Sequence, residues 1–385
     1  MFGLPASLVV LFLTVFDAAA ARSLRVGDFN IKFDSDPPAP GTTLSASTTS
    51  SAAGKASVSS SIVLRNRGPR RRQRSIPKSF SKRQTSSEDE QGEQPWSARR
   101  GPLVDQILFE DLDIFGLQEV LHNQLEDIRG LLGDNYECHG VGRDDGVEAG
   151  EAEPICFRTN MFTLQDLEYF WLSDTPSSPS TSWDNRSIRL ATMVSLLDKS
   201  ANQTLYMLNT QLDNQGADSR LESSKLILQK IEGFINDSDD SALVLLTGDL
   251  NSRDTGAAYL TLTNGTYSSS STSDVYDNST IPAFLDTADE VVTSPQDASS
   301  ASDEPSTLQG KFGEKYSNPG FPPHNTNPKT IDYILYLNRG AVKQDWHVTA
   351  YGIMPSSING SVQPSDHRLV VAHFDSMPAS TDAGM

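Results

Sequence analysis

Two internal apolar runs constrain the fold more than any other feature of this 385-residue chain, because both end on residues that bind cations or water. Ala242-Leu243-Val244-Leu245-Leu246-Thr247 leads into Gly248-Asp249-Leu250-Asn251, and Leu112-Asp113-Ile114-Phe115-Gly116-Leu117 leads into Gln118-Glu119. Runs this short and this apolar, bounded by turn residues, have the pattern of buried strands. Three further fragments belong to the same set: Val26-Gly27-Asp28-Phe29-Asn30-Ile31, Thr330-Ile331-Asp332-Tyr333-Ile334-Leu335, and Ser365-Asp366-His367-Arg368. An acid after one apolar run is an ordinary solvated strand end. Five such fragments in one chain gather carboxylates, amides and a histidine at the ends of strands.

The motifs resemble, in their order, those of the endonuclease/exonuclease/phosphatase superfamily, the deoxyribonuclease I-like fold: Phe-Asn-Ile, Gln-Glu, Thr-His-Leu, Gly-Asp-Phe-Asn, Asp-Tyr-Ile and Ser-Asp-His. The resemblance covers nearly everything from Leu24 to Phe374 except one insertion. It implies a four-layer α/β/β/α sandwich of two mostly antiparallel sheets with outer helices. It also implies a phosphodiesterase or phosphatase, with nuclease activity open. The run Gly142-Arg143-Asp144-Asp145-Gly146 further resembles a secreted branch of the superfamily.

Hydrolysis of a phosphoester needs an oriented water, a cation on the phosphoryl oxygens and donors aimed at the transition state. Glu119 is a hard oxygen ligand at a strand end, suited to Mg²⁺ or Mn²⁺, and Asn30 and Asp366 are expected to complete the shell. By resemblance, Asp249 orients or deprotonates the water and Asn251 holds the phosphate. His367, paired with Asp332, supplies a protonated imidazole, since an adjacent carboxylate raises a histidine's pKa and fixes its tautomer. Arg189 is a candidate phosphate donor, with a surface salt bridge as the other reading. Glu151 falls where nucleases of this fold place the carboxylate that supports a second histidine. That histidine is replaced: Asn209-Thr210-Gln211-Leu212-Asp213 puts Gln211 in its position, where an amide donates a hydrogen bond but transfers no proton. Gln211 therefore leaves a second functional reading open, a catalytically weakened member acting as an extracellular binding protein.

Residues 1–21 read as a secretory signal peptide, with an apolar run over residues 8–16 too short to span a bilayer and small residues at 18–21. The segment before that run has no Lys or Arg, so an uncleaved anchor is the alternative. Residues 22–376 are expected to form one domain, residues 36–94 a disordered Ser- and Arg-rich insertion, and residues 377–385 a tail. Sequons at Asn185, Asn202, Asn236, Asn264, Asn278 and Asn359 are compatible with export through a glycosylating pathway. Cys138 and Cys156, the only cysteines, sit on two apolar stretches that read as an antiparallel pair, so they form either a cross-strand disulfide or two buried thiols.

The net charge of -19 works against adventitious binding to phosphate backbones and anionic membranes. The chain shows no aromatic ladder, basic groove or basic amphipathic helix, and no spanning segment follows the signal peptide. A phosphorylated substrate is expected, whether nucleic acid, phospholipid, or sugar or inositol phosphate, acted on by a monomer. Helices are expected from Trp96 through Leu108, over 123–132 and over 218–235, the last with a core stripe of Leu221, Lys225, Leu228 and Ile231. Strands are expected over 162–170, 188–197, 204–210, 243–247, 330–337 and 369–374, and a surface loop over 264–309.

Overall fold

The computed structural model describes residues 22–35, 92–235, 242–264, 283–291, 311–323, 327–337, 346–357 and 362–376. The expectations for residues 1–21, most of the insertion, the tail, and Asn236, Asn278 and Asn359 lie outside them. In chain order the elements are β1 (Arg22–Asn30), α1 (Trp96–Phe109), β2 (Ile114–Gln118), α2 (His122–Leu132), β3 (Tyr136–His139), β4 (Ile155–Arg158), β5 (Phe162–Trp171), β6 (Leu190–Asp198) and β7 (Gln203–Gln211). They continue with α3 (Ala217–Phe234), β8 (Leu243–Asp249), α4 (Ala257–Asn264), β9 (Phe284–Asp286), β10 (Lys311–Gly313), β11 (Asp332–Leu337), β12 (Trp346–Ile353) and β13 (Val370–Ser376).

The strands form a seven-stranded sheet, β10-β12-β13-β1-β2-β4-β3, and a six-stranded sheet, β5-β6-β7-β8-β11-β9. Pairing is antiparallel except between β1 and β2, β10 and β12, and β7 and β8. The two-residue period of a strand sorts the apolar runs into layers. Leu243 and Leu245 of β8 meet Val26, Ile114 and Ile155 of the other sheet between the two sheets. Val244 and Leu246 face outward onto Ile227, Leu228 and Ile231 of α3. On the opposite side Phe115 and Leu117 of β2 pack on Leu103 and Ile107 of α1 and Leu125 and Ile128 of α2. Runs apolar on both faces are therefore buried on both faces, and each such side chain contributes roughly 1.5–3 kcal/mol. The result is the expected four-layer sandwich.

Register carries the functional motifs to one end of it. Gln211 pairs with Asp249, Asp249 with Asp332, and Asn30 with Gln118. Gly116 lets the sheets approach behind this end, because a Cβ there would lie 2.3 Å from the Asn209 Oδ1 and Thr247 Oγ1 atoms. The Asn209 amide fills that space, donating to the carbonyls of Leu117 and Pro154 and accepting from Gln118.

Three expectations need correction. The buried face of α3 runs through Ser219, Ser223, Ser224, Ile227, Leu228 and Ile231, so Leu221 and Lys225 flank the core, and Lys225 pairs with Glu222 on the surface. The 264–309 stretch is not loop throughout, since Phe284 is buried and β9 pairs with β11. Strand β12, with a bulge between Val348 and Ala350, was not anticipated because His347 and Thr349 interrupt its apolar residues. Cys138 and Cys156 are cross-strand neighbours on β3 and β4 and form a disulfide. Among the described residues no helix is long and apolar enough to cross a membrane.

Candidate active site

Asp249 ends β8 and Asp332 begins the strand beside it, so the two carboxylates face the same space. His367 enters from the turn before β13, held by its backbone N–H to Ser365 Oγ at 3.1 Å. Ser365 Oγ donates in turn to the Asn30 carbonyl at 2.6 Å, tying this turn to the end of β1. The fully buried Arg99 reinforces the junction, donating to the carbonyls of Ile31 and Pro364, each at 2.8 Å.

His367 Nδ1 lies 2.8 Å from Asp332 Oδ1, and its Nε2 lies 2.6 Å from the Asn318 side-chain amide and 4.0 Å from Asp249 Oδ2. Burial works against a charged ring, but Asp332, Asp366 and Asp249 outweigh it and raise the His367 pKa well above the ordinary imidazole value. Asp249 is raised too. Burial and the neighbouring Asp332 raise its carboxyl to about 6, against the opposing pull of His367 and the donors from Asn251 and Gln211.

Glu119 follows β2 with a left-handed backbone, φ 59°, and Lys32 and Asn251 share that conformation at φ 60° and 46°. Such backbone strain at non-glycine residues clusters at functional sites. Glu119 Oε1 accepts from Asn30 at 3.1 Å and Gln211 at 2.9 Å, while Oε2 lies 3.2 Å from the Lys32 ammonium. Burial opposes its charge, but Lys32, His367 and the two amides prevail and bring the carboxyl down to about 2.

Gln211 is placed among these groups. Its Nε2 donates to Glu119 and, at 3.2 Å, to Asp249, while its Oε1 accepts from Arg189 Nη1. Arg189 is buried rather than on the surface, with Asp213 3.6 Å from its Nε. It acts on the site through Gln211 as well as lining the cavity. Asn251 Nδ2 donates to the Leu212 carbonyl at 3.0 Å and its backbone N–H to Asp249 at 2.9 Å. Glu151, without the histidine it would support in the family's nucleases, is held by Arg143 at 2.5 and 3.1 Å.

Glu119, Glu151, Arg189, Gln211, Asp249, Asn251 and His367, with Asp366, line one cavity of about 360 Å³, and Asp332 and Asn30 back it. The sequence reading missed Lys32, Arg143 and Asn318 in its wall, Asp213 behind it, and Asp28, a fully buried carboxyl that accepts from Gln118. Burial and the nearby Asp332 raise the Asp28 pKa well above the carboxylate range. Asp213 and Asp28 do stand in or beside quoted motifs. Of the sequons, Asn185 has its Nδ2 buried, whereas Asn202 and Asn264 are exposed.

The donor set fits a divalent cation. Glu119 is ionised, opens on the cavity, and already holds one cation in Lys32; turning the Asn30 amide over would bring its oxygen beside Glu119. Asp249, Asp332 and His367 also bring ligand atoms within 4.8 Å of one another. Their mutual hydrogen bonding, and that of Asp332 to Ser317, suits proton handling better than an open coordination shell.

The fold is that of the endonuclease/exonuclease/phosphatase superfamily. A superfamily protein from Bacteroides vulgatus is 22% identical over 92% of this chain and 100% of its own, with a TM-score of 0.61. One from Bacteroides thetaiotaomicron is 20% identical over 93% of this chain and 97% of its own, with a TM-score of 0.62. A mannosyl-6-phosphatase of the same organism is 20% identical over 91% of this chain and 99% of its own, with a TM-score of 0.60. No protein-family model and no curated protein matches the chain.

Proposed function

We propose that the protein is an exported, divalent-metal-dependent phosphoester hydrolase. The observation that carries this reading is the convergence of Asp249, the His367–Asp332 pair, Asn251 and an ionised Glu119 on one cavity. Asp249, with a pKa lifted toward neutrality, is suited to orient a water and take its proton. The protonated His367 ring, its Nδ1 engaged by Asp332, directs positive charge toward the cavity, where a phosphoryl group gains negative charge in the transition state. Asn251 and Asn318 supply neutral amides on either side. Glu119, Asn30 and Asp366 would hold Mg²⁺ or Mn²⁺, and the bound ion would neutralise charge on the phosphoryl oxygens.

Gln211 first suggested a weakened, binding-only protein. Its contacts favour the enzyme, because it braces the two carboxylates the chemistry needs instead of leaving them unsupported. A same-fold neighbour that is a mannosyl-6-phosphatase supports the hydrolase class. The signal-like N-terminus and the Cys138–Cys156 bridge support export to an oxidising compartment.

The test is turnover of p-nitrophenyl phosphate and bis-p-nitrophenyl phosphate by purified protein with Mg²⁺. Glu119→Ala and Asp249→Asn should each lower kcat by about 10² or more, in the range of removing one positioned catalytic group. Full turnover in EDTA would refute the metal mechanism. Mass spectrometry of the exported chain should find a start near residue 22.

A further inference from the structure

The Gly142-Arg143-Asp144-Asp145-Gly146 run does no work in the chemistry above, yet the structure builds it with unusual care. Asp145 Oδ1 accepts from the backbone N–H groups of Val147, Glu148 and Ala149 at 2.7, 3.0 and 2.9 Å. Arg143 N–H donates to the Glu151 carbonyl at 3.0 Å, and the Trp171 indole donates to the Arg143 carbonyl at 2.7 Å. The loop is thereby fixed with the Arg143 guanidinium and Glu151 carboxylate joined by two hydrogen bonds on the cavity wall.

Ser187 and Asn214 stand on the same wall, and both flank anchors of one buried carboxylate. Asp213 accepts from the N–H groups of Arg186 and Ser187 through one oxygen, and from Gln215 and Gly216 through the other. The wall thus offers fixed donors, a fixed acceptor, a hydroxyl and an amide in the same cavity as Asp249 and His367. Among the described lining residues only Phe33 is apolar, and the Lys32 ammonium lies 4.0 Å from its ring centroid.

A guanidinium paired with a carboxylate matches adjacent hydroxyls, each of which donates once and accepts twice. A nucleobase calls for an aromatic stacking surface and a lipid tail for an apolar one. Resting on the hydrolase reading, we propose that Arg143, Glu151, Ser187 and Asn214 form the leaving-group subsite, and that the substrate is a phosphate monoester of a ring alcohol bearing adjacent hydroxyls. Water adds to phosphorus, the phosphorus–oxygen bond to the ring alcohol breaks, and the alcohol leaves with the proton the water gives up. The products are the free polyol and inorganic phosphate.

The test separates binding from turnover. Full-length Asp249→Asn protein with Mg²⁺ is titrated calorimetrically with a panel of hexose 6-phosphates, an inositol monophosphate, phenyl phosphate and a dinucleotide. At least one sugar or inositol phosphate should bind at least tenfold tighter than phenyl phosphate, and the hexose and inositol arms distinguish the two sources of this chemistry. Equal affinities, or preference for the dinucleotide, would overturn the proposal. In active protein, Glu151→Gln and Ser187→Ala should each lower the ratio of kcat/KM for the preferred ligand to that for p-nitrophenyl phosphate by at least tenfold. An unchanged ratio in both variants would also overturn it. Selective binding with no turnover of any ester would leave the subsite standing and remove the hydrolase reading.

Discussion

Gln211 uses both ends of its amide: the oxygen takes an Arg189 N–H, so the nitrogen must face Glu119 and Asp249. An imidazole at this position would have one ring nitrogen for Arg189 and one for a carboxylate, and could not bridge both acids. The substitution therefore replaces a proton-transferring group with a brace. Gln211→Ala would leave the buried Arg189 without that acceptor and the two carboxylates without a common donor. Kinetics should show kcat lower by about tenfold to a hundredfold, and chemical denaturation a loss of about 1–3 kcal/mol, the cost of leaving buried polar groups unpaired. Unchanged kcat and stability would mean that the Arg189–Gln211 contact is incidental.

The same residues set a pH dependence. Asp249 is raised to about 6, so its carboxylate form accumulates as pH increases through about 6, and kcat/KM should rise there. His367 is raised as well, so its protonated form persists past the ordinary imidazole value and is lost only at higher pH. The expected profile is a bell with its acid limb near 6 and its alkaline limb displaced upward, both limbs belonging to the interacting Asp249–His367–Asp332 set. A profile flat from pH 5 to 8 would contradict these protonation states. Motif residues were legible because each stands at the start or end of an apolar run, as Asp332 and Asp249 do, or in the turn leading into one, as His367 does. Arg99 and Asn318 were not, because their roles depend on partners brought by tertiary folding, such as the Pro364 carbonyl that meets Arg99 from the far end of the chain and the His367 ring that meets Asn318.

Elements buried on two faces were readable from composition alone, as β2 and β8 show, since both of their alternating sets must be apolar. Strand β12 and the short strands β9 and β10 lie toward sheet edges, where one face tolerates polar residues and the two-residue signal weakens. Helix α3 hid its face differently, burying Ser219, Ser223 and Ser224 beside Ile227, Leu228 and Ile231. The β3–β4 hairpin links structure to specificity, because Cys138 and Cys156 are paired at the base of the loop that carries Arg143 and Glu151. Closing a loop across a separation of 18 residues stabilises by about 3 kcal/mol in the chain-entropy account. A Cys138→Ala, Cys156→Ala variant should unfold at lower urea, losing about that amount, with m equal or larger because its denatured state is less constrained. Its KM should rise more than its kcat falls, since the loop lies beside the reacting groups and does not supply them. A loss under about 1 kcal/mol would show that the hairpin's hydrogen bonds suffice.

At the scale of the whole molecule, the insertion is a matter of where its ends lie. Ser35 Oγ is 3.4 Å from Glu93 Oε1, so the chain leaves and re-enters the domain at nearly the same point. The re-entry is fixed by the domain itself: Arg99 Nε donates to the Gln94 carbonyl at 2.9 Å, and Pro95 accepts the first N–H groups of α1. The segment expected to be a disordered insertion, 36–94, therefore includes residues the fold uses at its C-terminal end, and the deletion that respects the structure is residues 37–91. Replacing them with a short Gly/Ser linker shortens the closed loop by roughly three doublings, which by loop-closure entropy favours the folded state by about 2 kcal/mol. Thermal denaturation should give a Tm equal to or above that of the full chain, and turnover of p-nitrophenyl phosphate should be retained, because the described residues that line the cavity lie outside the deleted stretch. A Tm lower by more than a few degrees would mean that residues 37–91 pack against the sandwich. Retained Tm with lost turnover would mean that they complete the active site.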